Sequence, residues 1–394
     1  MMFLDVVFLI LICLVAVPVI VFAVEVSLAL LPNRAVYATS EVCPKIAVLV
    51  PAHNEERVIQ KTLSHIQEQL SSEDRLIVVA DNCDDMTVDI SKEFGAIVLE
   101  RKDLVNKGKG FALDYGVRHL DANPPDVVVV IDADCIAGEG VIDCIAQLSF
   151  KENRPVQALD LMESNSDDPT LKQRIAVFAW RVKNYVRPLG LKALGLPCQL
   201  MGTGMAFPFK QLSDAKVGTS SIVEDMLLGI DLTAQGHAPI FCPDVRVVSY
   251  FPDAVQAESS QRKRWEHGHI GLIVDTLPSL ILNSIRKRDY KLLSLALDLA
   301  IPPLTLLAVI VISSFLIASL AFVIFGVNFT FYLSVFTLCL FVFTVFMAWV
   351  MFGREILSFK DMISLPKIML MKIPLYLRFF RKRQKKWERT ERDE

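Results

Sequence analysis

Between residues 299 and 353 the 394-residue chain has no lysine, arginine, aspartate or glutamate, and before Arg34 it has no basic residue. The first absence implies that the connection through Asn328, within that stretch, is short and lies on the far side of a membrane. The second removes the basic leader of a secretory signal peptide, and no A-x-A cleavage site follows the first apolar run. No two of the eight cysteines stand in CxxC spacing, which argues against a zinc ribbon or a thioredoxin-like site. There are only six histidines, and their one close pair, His267 and His269, falls short of a zinc ligand set. The first strand is not followed by GxGxxG, so a dinucleotide-binding turn is disfavoured, and the basic loop at 106–110 lacks the spacing of a Walker loop. Charge excess is missing too. With 41 Lys and Arg against 44 Asp and Glu, the net charge of −3 excludes a globally basic nucleic-acid binder.

What is present is a contrast. Hydrophobic residues make up 53% of the chain and charged ones 22%, which suits a soluble domain joined to membrane segments. Three uncharged apolar runs, 6–24, 299–327 and 331–352, approach the length a bilayer requires. Pro302 and Pro303 bend or delay the helix of the second run. Arg34 follows the first run. Arg286, Lys287, Arg288 and Lys291 precede the second, and Arg354 with the tail Arg378, Arg381, Lys382, Arg383, Lys385 and Lys386 follows the third. Basic flanks favour the inner side, so the N-terminus is expected outside an inner (plasma) membrane, with the middle segment and C-terminus in the cytoplasm. Residues 270–285 carry Asp275 and Pro278, and residues 361–380 carry Lys367 and Lys372. A charge at mid-bilayer is costly, so both are placed in the interface plane, with a fourth span as the alternative for the second. The expected organisation is a membrane helix at 1–33, a cytoplasmic domain at 41–265 and an interfacial helix at 266–291. Two membrane helices follow at 292–353, and an interfacial helix with a basic tail occupies 354–394. The cysteines are expected to be reduced and mostly buried, as in a cytoplasmic domain.

The middle segment alternates. Apolar runs at 45–51, 75–81, 96–100 and 126–132 read as buried strands, and periodic stretches at 54–70, 89–94 and 109–120 read as helices. That alternation predicts an open, mostly parallel α/β sheet, whose ligands bind beyond the carboxyl ends of the strands. Those ends are acidic or amide-bearing. The first runs into Pro51-Ala52-His53-Asn54-Glu55, the second into Asp81-Asn82-Cys83-Asp84-Asp85, and the fourth into Asp132-Ala133-Asp134. Two carboxylates one residue apart call for a compensating charge, and a hard Mg²⁺ or Mn²⁺ ion shared with phosphate oxygens supplies it. In the loop Asn106-Lys107-Gly108-Lys109-Gly110, a lysine beside a helix N-terminus suits a phosphate. Three later features belong with these: the glycine-broken Gly202-Thr203-Gly204 segment, the Glu224-Asp225 pair opening a helix, and Gln261-Arg-Lys-Arg264-Trp265.

Taken together, these residues resemble the family 2 glycosyltransferases, in the membrane-embedded branch of cellulose, hyaluronan and chitin-oligosaccharide synthases. The resemblance runs from about residue 45 to 265. It rests on four motifs in the family's order: Pro-x-x-Asn-Glu, a second-strand Asp, DxD, then ED followed by QxxRW. It implies a GT-A fold and an inverting transfer from a nucleotide sugar, with a UDP-sugar as the expected donor. By the same resemblance Ala52, Glu55 and Asp81 line the nucleotide, Asp132 and Asp134 hold the metal and diphosphate, and Lys109 and Arg264 meet the phosphates. Asp225 becomes the general base, while Gly202, Thr203, Gly204, Glu224, Gln261 and Trp265 face the acceptor. Val223 departs from the Thr common before ED, and Met201-Gly202-Thr203-Gly204 departs from the usual acceptor-loop wording; both leave the acceptor open. The preferred acceptor is a lipid-linked saccharide at the inner leaflet, in exopolysaccharide assembly. A self-sufficient polymerising synthase is the alternative, and no nucleic acid is expected. A transporter reading finds no ion path in the uncharged spans. A catalytically dead binding module would lack the DxD or ED carboxylates, and both are present.

Overall fold

The computed structural model describes residues 2–32, 43–252, 255–365 and 376, and the described chain separates into a sheet unit and a helical unit. The sheet unit draws on Arg34–Asp167 and Gly195–Gly268. Its strands are β1 (Ile46–Ala52), β2 (Arg75–Asp81), β3 (Ile97–Arg101), β4 (Val127–Val130), β5 (Cys135–Ala137), β6 (Val156–Glu163), β7 (Met205–Pro208) and β8 (Ile240–Tyr250), in the order β3-β2-β1-β4-β7-β6-β8-β5. The first four pair in parallel, as the alternation predicts. β7 then runs antiparallel to both β4 and β6, β8 is parallel to β6, and β5 is antiparallel to β8, so the whole is a mixed sheet.

Both faces of β1, β2 and β4 are covered, which is why these strands are almost continuously apolar, whereas the edge strand β3 is only partly buried. Successive side chains point to opposite faces. Val48, Val50, Val78 and Val129 therefore join one core with Ile59, Leu63, Ile142 and Ile145. Ala47, Leu49, Ile77, Val79 and Val128 join a second core with Leu113, Val117, Leu120 and Leu232. Register places the chemistry. Ala52 pairs with Ala80 and Leu49 with Val130, so the residues that follow, among them Asp81 and Asp132, emerge along one sheet edge.

The helical unit draws on Met1–Asn33, Asp168–Leu194 and His269–Gln384. It takes in Asp168–Leu194, which the sequence reading had placed inside 41–265. Among the described residues, three helices are long and apolar enough to cross a membrane: Val6–Leu28, Leu304–Phe325 and Asn328–Phe352. The second begins directly after Pro303. Ala257–Asp275 and Leu277–Lys287 bend by 50° at Thr276, where Pro278 interrupts the ladder, and could together form a broken span or a re-entrant loop. Arg34, Lys367, Lys372 and the basic residues from 378 onward lie outside the described residues.

Polar contacts knit the helical unit. The Arg187 guanidinium donates to Glu25 Oε2 at 2.9 Å and to Asp298 Oδ1 at 2.5 Å, with all three residues buried. Arg174 pairs with Asp361 at 3.0 Å, and Arg181 with Glu355. One cysteine expectation needs correction. Among the described residues no disulfide forms, but only Cys135, Cys198 and Cys242 are buried, while Cys13, Cys43 and Cys339 are exposed. Cys13 and Cys339 sit on the apolar spans, where an exposed thiol meets no aqueous penalty for its weak polarity.

Candidate active site

The turn after β1 and the turn after β2 are laced together. Asn54 and Asn82 both take left-handed backbone (φ 55°), a conformation that asparagine tolerates better than most residues. The Asp84 amide donates to Asn54 Oδ1 at 2.9 Å, and the Glu55 amide donates to Thr87 Oγ1 at 2.8 Å. Ala52 is buried at the end of β1. Asp81 is buried at the end of β2, where Arg101 from β3 pairs with it at 2.5 Å. Arg101 also donates to Asp103 Oδ2 and to the Asn106 carbonyl, at 3.0 and 2.7 Å, and lies over the Phe111 ring. The sequence singled out Asp81 but gave no sign of Arg101. The pairing depends on the β2–β3 register, which sets Asp81 opposite Arg101.

A second group gathers beyond β4. Lys109, the first residue of the helix Lys109–Leu120, places its ammonium 2.5 Å from Asp132 Oδ1 and donates to the Gly202 carbonyl at 2.8 Å. The Asp132 amide donates to Thr203 Oγ1 at 3.1 Å. Gly202 has φ +95°, and a Cβ there would stand 3.3 Å from both Asp225 Oδ2 and Lys109 Nζ. The missing side chain is thus what lets a carboxylate and an ammonium close on this loop. Glu224 and Asp225 open the helix Glu224–Ala234 and line a small pocket with Lys109, Leu113 and Met205. Gln261, Arg264 and Trp265 share one face of the helix Val255–Asp275, at i, i+3 and i+4.

Electrostatics follow from this crowding. Burial opposes the charged Lys109 ammonium, but the Asp132 and Glu224 carboxylates outweigh that and hold its pKa above the ordinary lysine value. Burial and the neighbouring Asp134 raise the Asp132 carboxyl against the pull of Lys109. Burial, then Asp225, push Glu224 up to about 7. The unfolded chain releases that proton near 4.5, so the folded state binds more protons between pH 4.5 and 7. Stability therefore falls as pH rises through that window. Asp132 acts with the same sign, whereas Lys109 acts only at alkaline pH. The Glu224→Gln variant should lose part of the decline. Its thermal midpoints at pH 5 and pH 8 should lie closer together than the parent's, which a pH series of melts checks.

Asp132, Asp134 and Cys135 offer ligand atoms within 4.8 Å of one another. The Cys135 thiol is buried and its pKa is raised well above the ordinary value, first by burial and then by Asp134 and Asp132. It contacts Ser249 Oγ at 3.0 Å. A thiol held in its protonated form is a poor ligand, which leaves two carboxylates, the donor set of a hard cation rather than of zinc. The sequence reading also overlooked Gln157. This wholly buried residue of β6 donates to the Thr203 carbonyl at 2.8 Å and accepts from the Met201 amide at 2.8 Å. Its only cue was a lone amide in the apolar run Val156-Gln-Ala-Leu159.

Comparison with known proteins places these features in a family context. Residues 44–268 match the model for the glycosyltransferase-like family 2. The Bacillus subtilis protein named "Probable glycosyltransferase YdaM" is 41% identical over 99 residues, 23% of each chain. Glucomannan 4-beta-mannosyltransferase 7 of Arabidopsis thaliana is 24% identical over 271 residues, 64% of this chain and 48% of that one. The chain thus spans less than half the length of either relative. Among solved structures, the mannosyltransferase PcManGT from Pyrobaculum calidifontis, in complex with GDP-Man and Mn²⁺, matches with a TM-score of 0.52 and 16% identity. The match covers 88% of this chain and 98% of that one. Likeness at that identity bears on the fold alone, and it agrees with the GT-A type sheet.

Proposed function

The chain belongs to the family 2 glycosyltransferases, and from that membership we propose that it moves a sugar, with inversion, from a nucleoside diphosphate to a saccharide acceptor held at a membrane. The observation that carries this reading is the convergence of Lys109, Asp132 and Asp225 on the Gly202–Thr203 segment beyond the carboxyl end of β4. An anion-binding lysine, a cation-binding carboxylate and a candidate base share one small space.

In this reading Asp81, Ala52 and Glu55 line the nucleotide, and Asp132 with Asp134 hold Mg²⁺ or Mn²⁺. The metal would neutralise charge developing on the leaving diphosphate. Lys109 and Arg264 meet the same phosphates as fixed positive charges. An acceptor hydroxyl has a high pKa, so it requires a positioned base as it attacks the anomeric carbon; the Asp225 carboxylate takes that proton. Trp265 offers an apolar ring face to a sugar and an N–H to its hydroxyls. Glu224, Gln261 and the Gly202–Thr203–Gly204 loop complete the acceptor side. Attack opposite the leaving group on an α-linked donor gives a β-linked product.

The three apolar helices support a lipid-linked acceptor, with the sheet unit on the cytoplasmic side of the plasma membrane and the product entering exopolysaccharide assembly. The QxxRW face at Gln261, Arg264 and Trp265 favours a second reading, a processive synthase. One experiment tests both. Detergent-purified protein is incubated with Mn²⁺ or Mg²⁺ and a panel of nucleotide sugars, UDP-sugars first, with and without membrane lipid extract, and released nucleoside diphosphate is quantified. Release with one donor, dependent on extract, is expected, and a product one sugar heavier than its acceptor separates single transfer from polymerisation. No release from any donor, together with no nucleotide-dependent thermal shift, overturns the proposal.

A further inference from the structure

Gln157 stands apart from the charged groups, yet its amide touches what they are built on. It lies on β6, wholly buried, and uses both ends of its side chain. The Nε2 group donates to the Thr203 carbonyl at 2.8 Å and to its neighbour Ala158's carbonyl at 2.9 Å, while Oε1 accepts from the Met201 amide at 2.8 Å. The partners at 201 and 203 are 44 and 46 residues away in sequence. They flank Gly202, the residue whose carbonyl receives Lys109 and whose bare Cα faces Asp225. Thr203 in turn accepts from the Asp132 amide. A chain of contacts thus runs from one buried amide, through three loop residues, to the lysine and two carboxylates of the site.

We propose that Gln157 is a positioning residue of the transfer reaction: it holds the Met201–Gly204 loop in the one backbone conformation that aligns an acceptor hydroxyl with the Asp225 carboxylate. The proposal rests on the glycosyltransferase reading above. Three features favour it over a purely structural role. A buried side-chain amide is costly unless satisfied, and this one gives its acceptor and one donor to the loop, the other donor going to Ala158 of its own strand. The loop carries left-handed backbone at Gly202 and Gly204, φ +95° and +65°, which glycine adopts without strain, so contacts rather than torsional preference fix the loop in one conformation. At Gly204 a Cβ would stand 2.8 Å from Val247 Cγ2, so the loop is pressed against β8 on its far side. With the loop held against both β6 and β8, its other face is the wall that an acceptor meets.

The role separates two reactions that share a donor. Transfer to a saccharide requires an acceptor hydroxyl aligned with the base and the anomeric carbon. Hydrolysis of the same donor uses water, which needs no such wall. In both, the bond from the anomeric carbon to the diphosphate oxygen breaks, a new carbon–oxygen bond forms, and the nucleophile's proton passes to the Asp225 carboxylate.

The test compares the parent with two full-length variants in detergent. Gln157→Met keeps length and shape but has no amide, and Gln157→Glu keeps an acceptor for the Met201 amide but loses both donors. Three quantities are read: nucleoside diphosphate release with membrane lipid extract, release without it, and the thermal shift given by UDP or GDP with Mn²⁺. The expected result is a 10- to 100-fold loss of extract-dependent release in both variants, with extract-independent release and nucleotide shift within about twofold of the parent. Extract-dependent release within twofold of the parent in either folded variant overturns the proposal. So does a parallel loss of all three quantities, which marks Gln157 as a general support. Should Gln157→Met not fold, the same limits apply to Gln157→Glu, and two unfolded variants likewise mark a general support. An inactive parent signals failure of the glycosyltransferase reading itself, before either variant is compared.

Discussion

The Asp225→Asn variant should lose about 10²- to 10⁴-fold in transfer rate, the usual contribution of a positioned general base. Nucleotide binding should be largely retained. The carboxamide is nearly isosteric, and Gly202 leaves space for either group. Glu224 next door makes the experiment sharper. In the parent, burial and the Asp225 charge push Glu224 up to about 7. Removing that charge lowers the Glu224 pKa, so a second carboxyl gives up its proton more readily at neutral pH where the first has gone. If mere negative charge in the pocket were enough, the variant would keep most of its rate. If the proton acceptor must sit where Asp225 sits, the rate collapses although a carboxylate is present. Product formation by chromatography, beside the thermal shift given by UDP or GDP with Mn²⁺, distinguishes the two. Retained transfer overturns the assignment of the base.

The second large effect lies in the helical unit. Arg187→Met should destabilise that unit by about 3–5 kcal/mol, the range for removing one partner of a buried ion pair. Arg187 is 6% exposed and stands between Glu25 and Asp298, themselves 2% and 5% exposed. Without the guanidinium two buried carboxylates face each other with no counter-charge. A triple variant, Glu25→Leu with Arg187→Met and Asp298→Leu, should recover much of the loss, because a well-packed apolar cluster rivals a buried ionic one. The measurement is the fraction of monodisperse protein that survives a heating series in detergent. A single variant as heat-resistant as the parent would show that the cluster contributes little.

Sequence and structure agree best where burial is two-sided. Strands β1, β2 and β4 are legible because both faces of the sheet are covered there, which turns them into uninterrupted runs such as Val127-Val-Val-Val130. β5, β6, β7 and β8 escaped the same reading. β5 and β7 have only three and four residues, and β8 alternates in burial and carries Pro243. β6 and β8 also shift register between Ala158 and Leu159. No periodicity rule reports such a shift. The helices are legible at their starts when a marked residue opens them, as Lys109 and Glu224 do.

The candidate site was visible as separate motifs. The structure brings Lys109, Asp132, Gly202, Thr203, Glu224 and Asp225 together, and it sets Gln261, Arg264 and Trp265 on one helix face. What the sequence did not reveal were the neutral or paired partners. Arg101 and Gln157 look ordinary in isolation, because their roles depend on which strand lies opposite. Partner identity is a property of register, and register across a crossover is not encoded in local pattern.

The Glu25–Arg187–Asp298 cluster also imposes an order of events during synthesis. Arg187 follows Glu25 by 162 residues, and Asp298 follows Arg187 by another 111. At about 5–20 residues per second, a ribosome needs on the order of tens of seconds to deliver all three. Glu25 sits near the end of the first apolar helix and is made long before its partner. During that interval the nascent chain carries an acidic group near the end of an apolar helix with no Arg187 guanidinium to meet it. The first helix therefore completes its polar contacts only after Asp298 has been translated, and a ribosome that stalls before Arg187 leaves a fragment whose Glu25 lacks its guanidinium partner.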